Sequence, residues 1–129
     1  MEELRAVKFT ETRSRFFAHL YLIDSPGEVN IILKKHRKEY RKANHHCFAV
    51  RFKDEEGILT EQCKDDGEVG HPGKVLLDLL QKREMGSHVL IVSRIFGGVK
   101  LGTGGVSRAF RAAGEGVLDM TYIRSQMSE

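Results

Sequence analysis

The sequence predicts an α+β fold, a two-layer sandwich in which a mixed sheet of four or five strands carries helices on one face. Three observations support this class. Short segments rich in β-branched and aromatic residues recur along the chain, amphipathic helical repeats separate them, and "HVLIVSRIF" (88–96) is apolar at nearly every position through Val92. The last pattern indicates a central strand buried on both faces. The resulting order of elements is β-β-α-β-β-α-β-α.

The first half of the chain supplies two strands and a helix. The segment "RAVKF" is a candidate short strand, and "RFFAHLYLID" (15–24) is a second because aromatic and branched residues dominate it. In "SPGE", Ser25 is the expected N-cap and Pro26 occupies the first helical position. Helical spacing then predicts a helix to about Lys42, through Val29, Ile32, Leu33, His36 and Tyr40.

The second half supplies a hairpin and two helices around the central strand. The alternating segment "HHCFAVRFK" (45–53) and "ILTEQC" (58–63) flank the turn "DEEG", which indicates a hairpin. A helix over 74–85, "KVLLDLLQKREM", is expected to stop at Gly86. A last helix presents an apolar face formed by Val106, Ala109, Phe110, Ala113 and Val117.

Length and composition indicate one globular domain. The chain has 129 residues, of which 40% are hydrophobic and 30% charged, so residues 1–129 are expected to form a single domain with one core. The longest apolar runs are too short to span a bilayer, and the N-terminus lacks the pattern of a secretory signal. Two cysteines without framework spacing indicate free thiols and a cytoplasmic location.

Charge is segregated along the chain although the net charge is only +3. The segment "KKHRKEYRK" (34–42) is strongly basic, whereas "KDEEGILTEQCKDDGE" (53–68) carries seven acids against two lysines. Separate basic and acidic surfaces permit a nucleic-acid partner without requiring one. The basic side chains form either a solvated helix face or a surface that tracks an RNA backbone, and they are Lys34, Lys35, Arg37, Lys38, Arg41 and Lys42.

The most unusual feature is the glycine-rich segment, "RIFGGVKLGTGGVSRAF" (94–110). Neither this segment nor the longer range from Met85 to Gly114 contains an acidic residue. It lies between the exit of the central strand and the start of the last helix, where unpaired amides and the helix dipole favour an anion. Lys100 and Arg108 could neutralise a phosphate there, and Arg94 could contact it through its guanidinium. The glycines are Gly97, Gly98, Gly102, Gly104 and Gly105.

Two interpretations of these glycines remain open. They either admit a phosphate or nucleic acid to the backbone, or they let two backbone layers pack closely. The absence of acids favours the first interpretation. Neither standard nucleotide motif is present: "GEVGHPGKV" (67–75) misses the Walker A spacing and hydroxyl, and "GTGGVS" (102–107) has Ser107 where the dinucleotide motif requires its third glycine.

No metal site or catalytic residue is predicted. His45, His46 and Cys47 are consecutive, and neither Cys63 nor His71 completes a recognised ligand spacing. No neighbouring base marks Cys47 as a nucleophile. The acidic loop consists of Asp65, Asp66 and Glu68, which either cap the following segment or hold Mg²⁺ near a bound phosphate.

Three blocks of sequence, "HHCFAVRF", "DDGEVGHPGKVLL" and "VLIVSRIFGGVKLGTGGVSRAF", closely resemble the core domain of the IMPACT/YigZ family. They occur in the family's order and extend the resemblance from about Arg13 to Gly114. The most specific block reads aromatic–Gly–Gly–x–Lys–Leu–Gly–x–Gly–Gly. The chain departs from the family in the second block, which is one residue shorter and has Lys74 for arginine and Val75 for proline.

The resemblance implies a fold like domain IV of elongation factor G and the second domain of a small-subunit ribosomal protein, with a left-handed β-α-β crossover. It implies no established catalytic activity and no cofactor. Eukaryotic members resemble translation regulators that act on a stress-kinase pathway through its ribosome-bound activator, and bacterial members are proposed ribosome- or nucleic-acid-associated proteins. The extra N-terminal interaction domain and C-terminal ferredoxin-like domain of many members are not expected here.

We therefore expect a non-enzymatic regulatory module of translation that contacts RNA, the ribosome or a translation-regulating protein through the glycine-rich segment. A second hypothesis is a phosphotransferase or hydrolase that combines this segment with the acidic loop. A third is a protein-interaction module that uses the basic helix against an acidic partner. No membrane partner is expected.

Overall fold

The computed structural model describes the backbone of residues 1–127 and the side chains of residues 1–119. The predicted order of elements is confirmed. No helix within these residues is long and apolar enough to cross a membrane. The elements are β1 (Glu2–Glu11), β2 (Ser14–Leu22), α1 (Glu28–Glu39), β3 (His45–Lys53), β4 (Leu59–Lys64), α2 (Pro72–Lys82), β5 (Ser87–Ile95) and α3 (Gly102–Met127).

The boundaries of two predicted helices need correction. Helix α1 starts after Gly27 instead of Ser25 and ends at Glu39, because the amide of Tyr40 bonds back to the carbonyl of His36 and closes the last turn. Helix α2 begins at Pro72 and ends at Lys82, with no need of Gly86 as a stop. The helices are thus displaced by a few residues from the expected ranges.

The five strands form one sheet in the order β1-β2-β5-β3-β4, and all four neighbouring pairs are antiparallel. The α+β class and the five-stranded sheet are confirmed, whereas the expectation of a mixed sheet is wrong. Strands joined by a helix, such as β2 and β3, do run parallel, but β5 lies between them and pairs with both. In the same way β3 lies between the parallel strands β4 and β5, so no two neighbouring strands are parallel.

Helices lie on both faces of the sheet, which corrects the expectation of one covered face. Helices α2 and α3 pack over Leu90 and Val92, while α1 packs over Val89 and Ile91. The physical reason is the apolar run of β5, which points alternate side chains to opposite faces, so that both faces need cover. The glycine-rich segment leaves β5 toward the α2–α3 face.

The sheet contains the left-handed crossover that the resemblance implies. Helix α1 joins β2 to β3 across one face, and α2 joins β4 to β5 across the other. The two connections start from strands of opposite direction, step across the sheet in opposite directions and use opposite faces. Their hands are therefore opposite, and one of them must be left-handed, against the usual right-handed rule for parallel strands joined within one sheet.

Candidate functional site

The glycine-rich segment exposes bare backbone at the start of α3. Gly98 and Gly102 have positive φ angles of 88° and 74°, and a Cβ placed on either residue would meet no atom within 4 Å. Gly102, Thr103 and Gly104 are exposed. The first amides of a helix have no carbonyl partner within it, so this end of α3 presents free donors to solvent.

Two other glycines serve packing. A Cβ on Gly97 would overlap the backbone carbonyl of Arg13 in the turn between β1 and β2, and a Cβ on Gly105 would lie 3.2 Å from the Cβ of Leu101. Gly97 therefore lets two chain segments touch, as the architectural interpretation expected. The two interpretations of the glycines apply to different residues of the same segment.

Arg108 and Lys100 flank the exposed backbone. A Cβ on Gly104 would lie 3.1 Å from Nη1 of Arg108, so the guanidinium folds back over the first turn of its own helix. Both cations are exposed, and neither forms an ion pair with any residue that the structure describes. Their charges are available to a ligand at the start of α3.

Two clefts of similar size border this turn and share Lys100 and Leu101. The Arg108 cleft encloses about 440 Å³ and includes the carboxylate of Glu11, and the Phe96 cleft on the other side encloses about 460 Å³. The Arg108 cleft is lined by Phe9, Glu11, Thr12, Lys100, Leu101, Gly105, Arg108, Ala109 and Ala112. The Phe96 cleft is lined by Asn44, His45, Val69, Arg94, Phe96, Lys100, Leu101, Gly102, Thr103 and Val106.

Arg94 has a different position from the one expected. Its side chain is buried, and Nη1 donates to Oε2 of Glu68 at 2.8 Å while Nη2 donates to Oγ of Ser14 at 3.3 Å. The guanidinium lies 5.5 Å from the ring centre of Phe16 and 5.7 Å from that of Phe96. These contacts occupy both Nη atoms of the guanidinium. Arg94 therefore forms the floor of the Phe96 cleft instead of contacting a phosphate directly.

The acidic loop is used within the protein. Asp65 accepts the amide of Gly73 at 2.9 Å in the first turn of α2, and Asp66 accepts the amide of His46 at 2.8 Å. Glu68 pairs with Arg94. The hydrogen bond from Gly73 means that Asp65 caps the start of α2, as the first interpretation of this loop expected. Within the described residues no group of three or more potential ligands could hold a metal ion.

His45, His46 and Cys47 also have internal partners. Nδ1 of His45 donates to the carbonyl of Asp66 at 2.9 Å, and Nδ1 of His46 lies 2.7 Å from Oγ of Ser93. Burial, with smaller effects from the nearby carboxylates, raises the pKa of the Cys47 thiol well above its usual range. A group that resists ionisation in this way is a poor nucleophile.

The basic surface follows α1 and continues past its end. Lys34, Lys35, Arg37 and Lys38 lie on the exposed side of α1, on the sheet face opposite α3. Arg41 lines a cleft with three of them and also borders, with Lys42, a small cleft that reaches Ile95, the last residue of β5. Of the six basic residues, Arg41 and Lys42 therefore lie at the end of the sheet where the glycine-rich segment begins.

Comparison with known proteins matches residues 12–118 to the model of the Impact N-terminal domain. The chain is 35% identical over 107 residues to "IMPACT family member YvyE" of Bacillus subtilis, which covers 81% of this chain and 48% of that protein. The chain thus spans about half the length of this relative.

Two solved structures share the fold. One, of a hypothetical protein, has a TM-score of 0.82 and 28% identity over 92% of this chain and 61% of its own. The other is the two-domain translational regulator Yih1, with a TM-score of 0.61 and 26% identity over 88% of this chain and 45% of its own. Both resemblances extend over nearly all the elements described above.

Proposed function

This chain belongs to the IMPACT family, and from that membership we propose that it is a regulatory domain of translation that contacts RNA, most directly on the ribosome. The similarity to Yih1, which is described as a translational regulator, supports the link to translation. The RNA contact is supported by the chain's own surface.

One observation carries the RNA contact: the open first turn of α3 lies beside two cations, Lys100 and Arg108, that form no ion pair with any of the described residues. The backbone at Gly102 is uncovered, the guanidinium of Arg108 lies over the same turn at Gly104, and Lys100 lines the Arg108 cleft beside it. Phosphate oxygens bind to free helix amides and to Lys or Arg, and such contacts are independent of sequence. The segment therefore has the chemistry of a phosphate-backbone contact.

The enzymatic alternative receives less support. It needs carboxylates that are free to bind Mg²⁺ or to act as a base next to the bound phosphate. Asp65, Asp66 and Glu68 each accept a hydrogen bond from a protein group instead. Among the side chains described, the loop offers no carboxylate that is clearly spare for a metal.

The protein-binding alternative rests on the helix α1, whose exposed lysines and arginines face away from the glycine-rich segment. Capture of partners from cell lysate, with and without nuclease, separates the two ideas. We expect tagged protein to retain ribosomal components, and nuclease treatment to release them. A partner that remains bound after complete RNA digestion would contradict the RNA proposal and favour a direct protein contact.

A further inference from the structure

The Phe96 cleft combines an exposed aromatic ring with an apolar wall. Phe96 is 43% exposed and Val69, on the other side of the cleft, is 52% exposed. Among the described residues, Phe96 is the only aromatic side chain in the set of exposed large apolar residues. Proteins that bind single-stranded nucleic acid pair such rings with a cationic groove, because each base has a face that stacks.

The ring is held in place by the surrounding backbone. The amide of Phe96 donates to Oδ1 of Asn44 at 2.8 Å, and the amide of Asn44 donates to the carbonyl of Arg94 at 2.8 Å. The buried guanidinium of Arg94 contacts the ring from the protein side. A fixed ring loses little conformational freedom when it stacks on a ligand, so the site is prepared for binding.

The side chain of Asn44 supplies a polar group for the edge of a base. Its Oδ1 accepts the amide of Phe96, so its NH₂ group is left as a donor in the cleft lining. The cleft volume of about 460 Å³ lies within the usual range for small-ligand sites, roughly 300–1,000 Å³. The cleft therefore has room for one flat polar ring.

Charge around the cleft favours a polyanion over a neutral ligand. Lys100 and the exposed residues Gly102 and Thr103 form its rim, next to the open amides of α3. None of the described residues that line the cleft is acidic, and the carboxylate of Glu68, which lies 2.8 Å from Arg94, is neutralised by it. A phosphate can therefore approach the rim without meeting an unpaired acid.

We propose that the Phe96 cleft binds one unpaired base of a single-stranded RNA, which stacks on Phe96 while Lys100 and the first amides of α3 hold the adjacent phosphate. This inference rests on the proposed RNA contact and makes it more specific. A base within a duplex is stacked and paired and cannot enter the cleft, so the domain selects single-stranded over double-stranded RNA.

The test measures the affinity of a short single-stranded RNA, the same RNA with abasic nucleotides, and the corresponding duplex. Wild type is compared with Phe96→Ala, Phe96→Tyr and a nearby control, Val99→Ala, which shortens an exposed side chain outside the cleft lining. We expect Phe96→Ala to weaken binding of the intact RNA by roughly 5- to 150-fold, the loss corresponding to one stacked base. Phe96→Tyr and Val99→Ala are expected to bind like wild type.

The abasic RNA keeps the test independent of the variants. Wild type should bind the abasic RNA about as weakly as Phe96→Ala binds the intact RNA. Phe96→Ala should bind the abasic RNA with the same affinity as wild type does. If wild type binds intact, abasic and duplex RNA equally, the base site is wrong while the phosphate contact stands. If wild type binds none of them even at low salt, the proposed function itself fails, and the two failures are thereby distinguished.

Discussion

Glu68 and Arg94 form a buried ion pair, with 2.8 Å between Oε2 and Nη1 and only 4% and 7% of the two side chains exposed. It joins the acidic loop to the end of β5, directly beneath the glycine-rich segment. A buried charge is tolerated only with its partner, so the pair ties two chain segments together at the floor of the Phe96 cleft.

The first prediction concerns removal of one partner. Glu68→Ala leaves the guanidinium of Arg94 buried without its counter-charge and should lower the free energy of unfolding by about 3–5 kcal/mol. Urea denaturation measures this loss. The matched control is Glu61→Ala, which removes a more exposed pair with Arg51 and should lower it by about 1 kcal/mol or less. Equal losses of unfolding free energy in the two variants would show that the buried pair stabilises the fold no more than the exposed pair does.

The second prediction separates the two kinds of glycine. Gly97→Ala forces a methyl group against the backbone of Arg13 and should destabilise the protein by roughly 1–3 kcal/mol. Gly27→Ala is the control, because its φ of −63° suits any residue and no atom lies within 4 Å of the added carbon. Thermal unfolding of both variants decides the point, and a tolerated Gly97→Ala would refute the packing role.

The third prediction is a loss of stability in acid that depends on His36. Burial, together with His19 and His46 nearby, lowers the pKa of His36 from 6.5 to about 3. Between these values the unfolded chain binds a proton that the folded chain does not. The stability present above pH 6.5 is therefore lost as the pH falls toward 3, by at most about 1.4 kcal/mol per pH unit.

Denaturation at a series of pH values tests this dependence. His36→Gln has no imidazole to protonate, so its free energy of unfolding should fall less steeply with acid than that of wild type. His71→Gln serves as the control because the His71 side chain is 88% exposed. The same steep slope in wild type and His36→Gln would assign the acid sensitivity to other groups.

The fourth prediction addresses the enzymatic alternative. Because Asp65 caps α2 through the amide of Gly73, Asp65→Ala should lower the free energy of unfolding by roughly 0.5–2 kcal/mol. Millimolar Mg²⁺, with or without ATP, should leave the unfolding temperature of wild type unchanged, since a ligand of the folded state would raise it. A rise that Asp65→Ala abolishes would restore the metal-dependent hypothesis.

The order of elements could be predicted because it depends on local patterns, whereas the face of the sheet that each helix covers could not. The apolar run of β5 was recognised as buried on both faces, yet only the register shows that α1 covers Val89 and Ile91 while α2 and α3 cover Leu90 and Val92. A strand with two apolar faces requires cover on both. The presence of helices on both faces of the sheet could therefore have been predicted from the sequence pattern.

The exposure of the candidate site residues was predicted in part. The exposure of Lys100 and Arg108 agrees with a strongly basic segment, and their role in binding stays a prediction. The burial of Arg94 could have been predicted from the alternation of side chains along β5. Arg94 lies on the same face as Leu90 and Val92, which is the face covered by α2 and α3. Its partner Glu68, and the contact of Gly97 with Arg13, join segments distant in sequence, and no local pattern encodes such a contact.

Charge reversal at the start of α3 tests the central claim most directly. Lys100→Glu combined with Arg108→Glu should weaken RNA binding at low salt by roughly 1–3 kcal/mol for each charge-assisted contact and reduce its salt dependence. The control, Lys53→Glu with Lys82→Glu, makes the same change in net charge at exposed positions near the other end of the sheet and should retain most of the affinity. If the two double variants bind RNA equally well, or the first binds like wild type, α3 does not hold the phosphates.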